Sequence, residues 1–191
     1  MEYTGYMDFH SHILPGVDDG SKDMGMTCQM IARAYEEGVR TIVATPHSYP
    51  DGRHPQAEKI IEVTEQVRQE VREKYPDLTI LPGNEILYRE SMVRELEEGK
   101  ILSINQGRYV LVEFYPNETY KRIYYGLKEL TENGYLPVIA HVERVDTLMS
   151  DWDKIRELIK SGCYMQSNCE AYMGGFFDRR SRDMMNKVLQ R

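Results

Sequence analysis

Thr41-Ile42-Val43-Ala44-Thr45-Pro46-His47 is a continuous apolar run that stops at a proline and a histidine. An unbroken apolar stretch this short, rich in β-branched residues, is the signature of a parallel strand buried on both faces. Working outward, five more short runs read as strands: Gly5 to His10, Leu78 to Leu81, Tyr109 to Val112, Leu136 to Ala140 and Cys163 to Gln166. Between them lie helical patterns. Met24, Cys28, Ile31 and Tyr35 share one helical face, with Ser21 or Asp23 to cap it and Gly38 to end it. Ile60, Thr64, Val67 and Val71 share another, as do Ile123, Leu127 and Leu130 ahead of Gly134. A short charged helix is expected around residues 90–98, one at Trp152, Ile155 and Ile159, and a last one around 177–190. Six alternations of strand and helix in 191 residues predict a single α/β domain, 1–191, with parallel strands.

An open sheet and a closed barrel both fit that alternation. Polar residues separate them. His10, His12, His47, Glu85, Glu113 and His141 all fall at the carboxyl ends of successive strands. In a barrel those ends meet at one rim, where active sites lie. Five strands that each deliver a ligand-type residue favour the barrel.

Composition excludes several function classes. The net charge of −7 argues against a nucleic-acid surface. No run is long enough to cross a bilayer, and Met1-Glu2-Tyr3-Thr4 does not open a signal peptide. The three cysteines, Cys28, Cys163 and Cys169, have no paired spacing and read as reduced, buried residues of a cytoplasmic protein. No cysteine is followed by arginine at the spacing of a cysteine phosphatase. Asp151-Trp152-Asp153-Lys154-Ile155 lacks the context of an aspartyl-phosphate enzyme, and no phosphate-cradling glycine loop with lysine is present.

Two histidines at i, i+2 on a strand face the same way, because side chains alternate. His10 and His12 therefore form one corner of a metal site, and the later strand ends supply the rest. Imidazole and carboxylate without thiolate suit manganese, iron or zinc. Paired ions clamp both oxygens of an in-line phosphoryl displacement and lower the pKa of bound water to about 7. Phosphoester hydrolysis by metal-activated hydroxide is the natural reaction. Arg144, three residues past His141, reads either as a phosphate clamp or as a surface salt bridge. Asp18 either orients a ligand histidine or shapes a turn; Asp19, before Gly20, reads as a turn residue. His54, in a polar loop, reads as solvated. Tyr115, Tyr120, Tyr124 and Tyr125 read as packing residues before substrate-stacking ones.

Asp8-Phe9-His10-Ser11-His12-Ile13-Leu14-Pro15-Gly16-Val17-Asp18-Asp19-Gly20 resembles the opening motif of the PHP (polymerase and histidinol phosphatase) superfamily. Its longer form is similar to the bacterial protein-tyrosine phosphatase branch, the CpsB/CapC type of capsule and exopolysaccharide loci. Ala44 to His47, Pro82 to Glu85, Val112 to Phe114 and Ala140 to Arg144 resemble the later motifs, in order. The resemblance implies a distorted (β/α)7 barrel with up to three metal ions, commonly manganese. It implies hydrolysis of phosphotyrosine on a protein, typically the tail of a bacterial tyrosine kinase. It makes His10, His12, His47, Glu85, Glu113 and His141 metal ligands and Arg144 a phosphate-binding residue; Asp18 is expected to join Arg144 in catalysis.

One departure stands out. That family closes its site with Asp-x-His on a seventh strand, and here the only Asp-x-His is Asp8-Phe9-His10. Asn168-Cys169-Glu170-Ala171 also lacks an expected serine. The resemblance thus implies a barrel truncated to about six β/α units, incomplete metal occupancy, reduced activity, and self-association through an open edge. Two other functions compete: a small-molecule phosphatase of the histidinol-phosphate type, and a catalytically weak protein that binds phosphotyrosine on a kinase.

Overall fold

The computed structural model describes residues 5–52 and 55–169. The helix expected around 177–190, the solvated loop residue His54 and the end of the Asn168–Ala171 motif lie outside the described residues. The chain forms two compact units, Met1–Ile86 with Arg94–Val110, and Leu87–Val93 with Leu111–Arg191.

In the first unit, β1 (Tyr6–Ser11), β2 (Val39–Ala44) and β4 (Thr79–Pro82) form a parallel sheet in the order β1-β2-β4. Ile42, Val43 and Ala44 are buried, as the apolar run required. Helix α1 (Met24–Glu36) is capped by the Asp23 side chain, which accepts from the Met26 N–H, and Gly38 beyond it adopts φ +94°. Helix α2 (Ala57–Val71) turns Ile60, Val63, Thr64, Val67 and Val71 inward. These pack with Ile13, Leu14, Ile31, Ile42 and Ile80 into one core. The order follows from burying the sheet's apolar face, the main favourable term in folding.

Two elements differ from the sequence expectation. After Ala44 the chain breaks at Thr45-Pro46 and resumes pairing as β3 (His47–Ser48); after Pro82 it breaks at Gly83-Asn84 and resumes as β5 (Glu85–Leu87). Ala44 faces Pro82 and His47 faces Glu85, so the register continues across both breaks. The first break falls at Pro46, which brings no N–H to the ladder, and the second, at Gly83-Asn84, lies opposite it. The Pro46 carbonyl instead accepts from Glu85 N and Asn84 Nδ2, at 3.1 and 3.0 Å. His47 and Glu85 therefore open short new strands rather than trail the ends of long ones. Eight strands, not six, are present among the described residues.

In the second unit, the end of β6 (Tyr109–Glu113) accepts from Ala140 N and Tyr88 N through Val112 and Glu113 carbonyls. β7 (Leu136–Ile139) pairs in parallel with β8 (Tyr164–Met165). Helix α4 (Tyr120–Glu132) buries Ile123, Leu127 and Leu130, and Gly134 past its end adopts φ +84°. α3 (Met92–Glu97), α5 (Asp146–Met149) and α6 (Trp152–Lys160) complete the helices described. None is long and apolar enough to cross a membrane.

Candidate metal centre

Strand β1 aims the site of the first unit. It carries Asp8 and His10, its register against β2 slips between Asp8 and Ser11, and His12 follows one residue past its end. His10 Nε2 and His12 Nε2 lie 3.2 Å apart. Glu85, opening β5 and 1% exposed, brings Oε2 to 3.1 Å from His10 Nε2, 3.2 Å from His12 Nε2 and 3.0 Å from His47 Nδ1. Three imidazole nitrogens thus surround one buried carboxylate oxygen. A divalent ion holds such ligands at about 2.0–2.2 Å, which separates neighbouring donor atoms by about 3.0–3.5 Å. The observed spacings fit one shared ion among His10, His12 and Glu85, a donor group within reach of a single metal.

The loop after β1 locks this arrangement. Asp18 Oδ2 lies 2.6 Å from His12 Nδ1 and accepts from His47 N at 3.2 Å, while Oδ1 accepts from Gly20 N at 3.0 Å. An ionised carboxylate only accepts, so His12 keeps a proton on Nδ1, and its Nε2, turned toward Glu85 and His10, donates to Glu85 while protonated and can give its lone pair to a metal once that proton leaves. Both roles left open for Asp18 are filled by one side chain: it shapes the turn and orients the histidine. A Cβ at Gly20 would collide with the His12 carbonyl, which is why the turn closes on glycine. Ser21 and Thr27, fully buried, bond to each other and to Asp23 and Ile13 carbonyls, pinning the loop onto α1.

The charges respond to this packing. Burial disfavours a charged His12, but its bonds to Asp18 and Glu85 prevail and push it up to about 10. Burial works against ionised Asp18 too; the bonds from His12, Gly20 and His47 outweigh it and hold Asp18 below the usual range. Asp8, beneath His10, is pushed up by burial although it accepts from His10 N at 3.2 Å.

Asp19 departs from a pure turn role. Its carboxylate is 81% exposed, yet Oδ1 reaches to 3.5 Å of His47 Nε2. His12, Asp19 and His47 form a further group of possible donors. With Nδ1 committed to Asp18, His12 has one nitrogen to give, so this group and the His10 group are alternatives for His12.

The second unit brings together Glu113 and His141, with Glu113 Oε1 3.5 Å from His141 Nε2. His141 is buried and takes φ +30°. Arg144, one helical turn on, is exposed and has no ion pair among the described residues. The cysteines make no disulfide; Cys163 is buried, Cys28 half-buried, and Cys169 exposed, against the expectation of burial. Tyr115 and Tyr125 are exposed, while Tyr120 donates to Glu157 at 2.6 Å.

Four contributors were not singled out from sequence. Asp8 was visible as the first member of the alternation Asp8, His10, His12. Glu143 and Asn168 read only as members of motifs and Gln166 only as a strand end, because their bonds depend on how β7 pairs with β8.

The chain is thus a parallel α/β protein with a buried cluster of imidazoles and carboxylate that could hold a metal ion. The chain belongs to the CpsB/CapC family of capsular polysaccharide synthesis, whose model matches residues 6–191. It is 41% identical over 162 residues to the tyrosine-protein phosphatase CpsB of Streptococcus pneumoniae, covering 85% of this chain and 67% of that protein. It is 30% identical over 170 residues to the tyrosine-protein phosphatase YwqE of Bacillus subtilis, covering 89% and 67%. A crystal structure from work on YwqE and CpsB, described as metal-dependent tyrosine phosphatases, superposes with TM-score 0.86 at 28% identity, covering 97% of this chain and 74% of that one. The fold is accordingly the PHP-type α/β fold of that family.

Proposed function

We propose that the chain is a metal-dependent protein-tyrosine phosphatase that hydrolyses phosphotyrosine on a protein serving capsule or exopolysaccharide synthesis. The observation that carries this reading is the buried Glu85 carboxylate with three imidazole nitrogens within 3.2 Å. A buried charge needs compensation, and metal coordination provides it. Family membership and the names of the relatives supply the substrate class.

His10, His12, His47 and Glu85 in the first unit, and Glu113 and His141 in the second, are the proposed ligands. Divalent ions, manganese first among them, would neutralise phosphate charge and acidify a water nucleophile. The chain's own residues do the positioning. Asp18 keeps the His12 proton on Nδ1, so that Nε2 is a donor. Exposed Arg144 offers a planar fork to two phosphate oxygens, which cuts the freedom of the bound group and favours in-line geometry. Glu85, shielded from water, fixes the imidazoles around it. The partner we assign is a tyrosine-phosphorylated bacterial kinase. We assign the enzyme to the cytoplasm, where three thiols without a disulfide are at home.

The test is hydrolysis by chelator-stripped protein with and without added Mn²⁺, on a phosphotyrosine peptide and on histidinol phosphate. Metal-dependent turnover of the peptide is expected to dominate. Preference for histidinol phosphate, or turnover indifferent to metal, would overturn the reading. Peptide binding without turnover in saturating metal would make the chain a phosphotyrosine-binding protein instead.

A further inference from the structure

His141 adopts φ +30° and ψ +58°, a left-handed backbone that β-carbon sterics disfavour. Such a conformation persists only where its surroundings over-determine it. The surroundings here come from β8 and the three residues beyond it. The Gln166 side chain accepts from His141 N through Oε1 at 2.6 Å. The Gln166 main chain bridges the same corner: its N–H donates to Ile139 at 2.8 Å and its carbonyl accepts from Val142 N at 2.9 Å. Gln166 Nε2 donates to Asn168 Oδ1 at 3.2 Å, and Asn168 N donates to Glu143 Oε1 at 3.1 Å. Glu143 is buried at 5% exposure, one residue short of Arg144. Arg144 N in turn donates to the His141 carbonyl at 2.8 Å.

These bonds form one closed circuit, His141 to Gln166 to Asn168 to Glu143, within the second unit. It grips the chain on both sides of the strained residue. We infer that Gln166 is a positioning residue: it holds His141 in its left-handed turn, and so sets the imidazole for metal and the guanidinium of Arg144 for phosphate. The inference rests on the proposed metal-binding role of His141. The chemistry needed at position 166 is an acceptor for the His141 N–H, backed by a donor to Asn168. Without that acceptor the His141 N–H loses its partner, and the turn loses the bond that opposes its strain. The side chain then relaxes away from the Glu113 carboxylate, now 3.5 Å from its Nε2. Glu143 serves the same end from the far side: its carboxylate anchors Asn168, and with it the loop that carries the Gln166 carboxamide's partner.

Gln166→Met keeps the length and removes the acceptor; Gln166→Glu restores it, and the Asn168 amide, turned over, keeps the second bond by donating Nδ2 to the other carboxylate oxygen. Mn²⁺ affinity of the stripped full chain, measured by competition with a fluorescent chelator, is the readout, with kcat and KM on a phosphotyrosine peptide beside it. Gln166→Met is expected to bind Mn²⁺ about tenfold more weakly or worse, the usual effect of losing a group that orients a ligand. Gln166→Glu is expected to return to within about threefold of wild type on the same scale. A purely structural role would lower the melting temperature of both variants without this split in metal affinity. A folded Gln166→Met with wild-type Mn²⁺ affinity overturns the inference, as does a Gln166→Glu no better than Gln166→Met. Should Gln166→Met fail to fold, Asn168→Ala, which removes only the acceptor for Nε2, decides on the same readout: weaker Mn²⁺ binding supports the circuit, and unchanged binding refutes it. Wild-type protein that binds no divalent ion at all defeats the parent reading instead, so the two failures are distinguishable.

Discussion

Replacing Asp18 by asparagine changes one heavy atom and should disable a proposed metal ligand, His12, without disturbing the fold. Asp18 accepts three bonds, from His12 Nδ1, His47 N and Gly20 N, and its side chain is 7% exposed. An asparagine amide has one acceptor and one donor. With its oxygen toward Gly20, its NH₂ faces His12 Nδ1, and the imidazole must surrender the Nδ1 proton and carry it on Nε2, where it blocks metal. With its oxygen toward His12, its NH₂ faces the Gly20 N–H and two donors collide. Either way a hydrogen bond to a charged group is lost, worth about 1.5–3 kcal/mol. At about 1.4 kcal/mol per decade, that is roughly a 10–100-fold loss of metal affinity, in line with measured effects of removing groups that orient ligands. Asp18→Ala removes the tautomer conflict but leaves the imidazole unanchored, and should fall in the same range. The assay is competition for Mn²⁺ against a fluorescent chelator at neutral pH, with circular dichroism to establish that the fold is kept. A folded Asp18→Asn variant with wild-type affinity would refute the reasoning, and Asp18 would be a turn residue only.

Arg144→Ala should cost about tenfold or more in kcat/KM for a phosphotyrosine peptide, the value of a charged hydrogen bond, with no change in melting temperature; Arg144 is exposed and unpaired among the described residues, so a drop in stability would contradict its role. Metal-stripped protein should lose stability toward alkaline pH: His12 is raised from 6.5 to about 10, so its contribution is complete below 6.5 and fades as pH rises toward 10. Melting in excess chelator should therefore show wild type converging on His12→Asn across that range, and a constant gap would rule this out. Gly126→Ala should destabilise despite alanine's better helix propensity, because the new Cβ meets the Tyr88 ring, which already packs on Phe114 at 5.2 Å and beneath Arg122. Overpacking costs about 1–3 kcal/mol, less about 1 kcal/mol of propensity, and each kcal/mol lowers the melting temperature by about 2–4 °C at this size; a rise in calorimetric melting temperature would show that the ring yields freely.

What could be read from sequence, and what could not, divides along the range of the interactions involved. The run from Thr41 to Thr45 declares a buried strand because burial acts on each of its residues separately, and Ile42, Val43 and Ala44 are buried. The pair His10 and His12 declares a shared face because alternation is a property of the strand alone. Helices α1, α4 and α6 announce their stops through Gly38, Gly134 and Gly162, and α2 through Pro76. Strands β3 and β5 carry no such signal. Two and three residues long, they exist because β2 and β4 already lie in register, and the pairing resumes beyond each proline. That difference matters for the site. A histidine trailing a strand has a loose direction, whereas His47 paired opposite Glu85 is held to the ladder, its Nδ1 3.0 Å from the carboxylate. Asp18 was ambiguous for a related reason: a turn residue and a histidine-orienting carboxylate have the same local sequence, and only the return of the loop onto His12 and His47 shows that one side chain does both. The circuit around His141 is the extreme case. Gln166 lies 25 residues from the histidine it grips, and nothing near either residue hints at the bond. The proposed metal ligands are legible because their chemistry demands particular residue types. The groups that aim them need only an acceptor in the right place, and many side chains provide one, so those groups emerge from the fold.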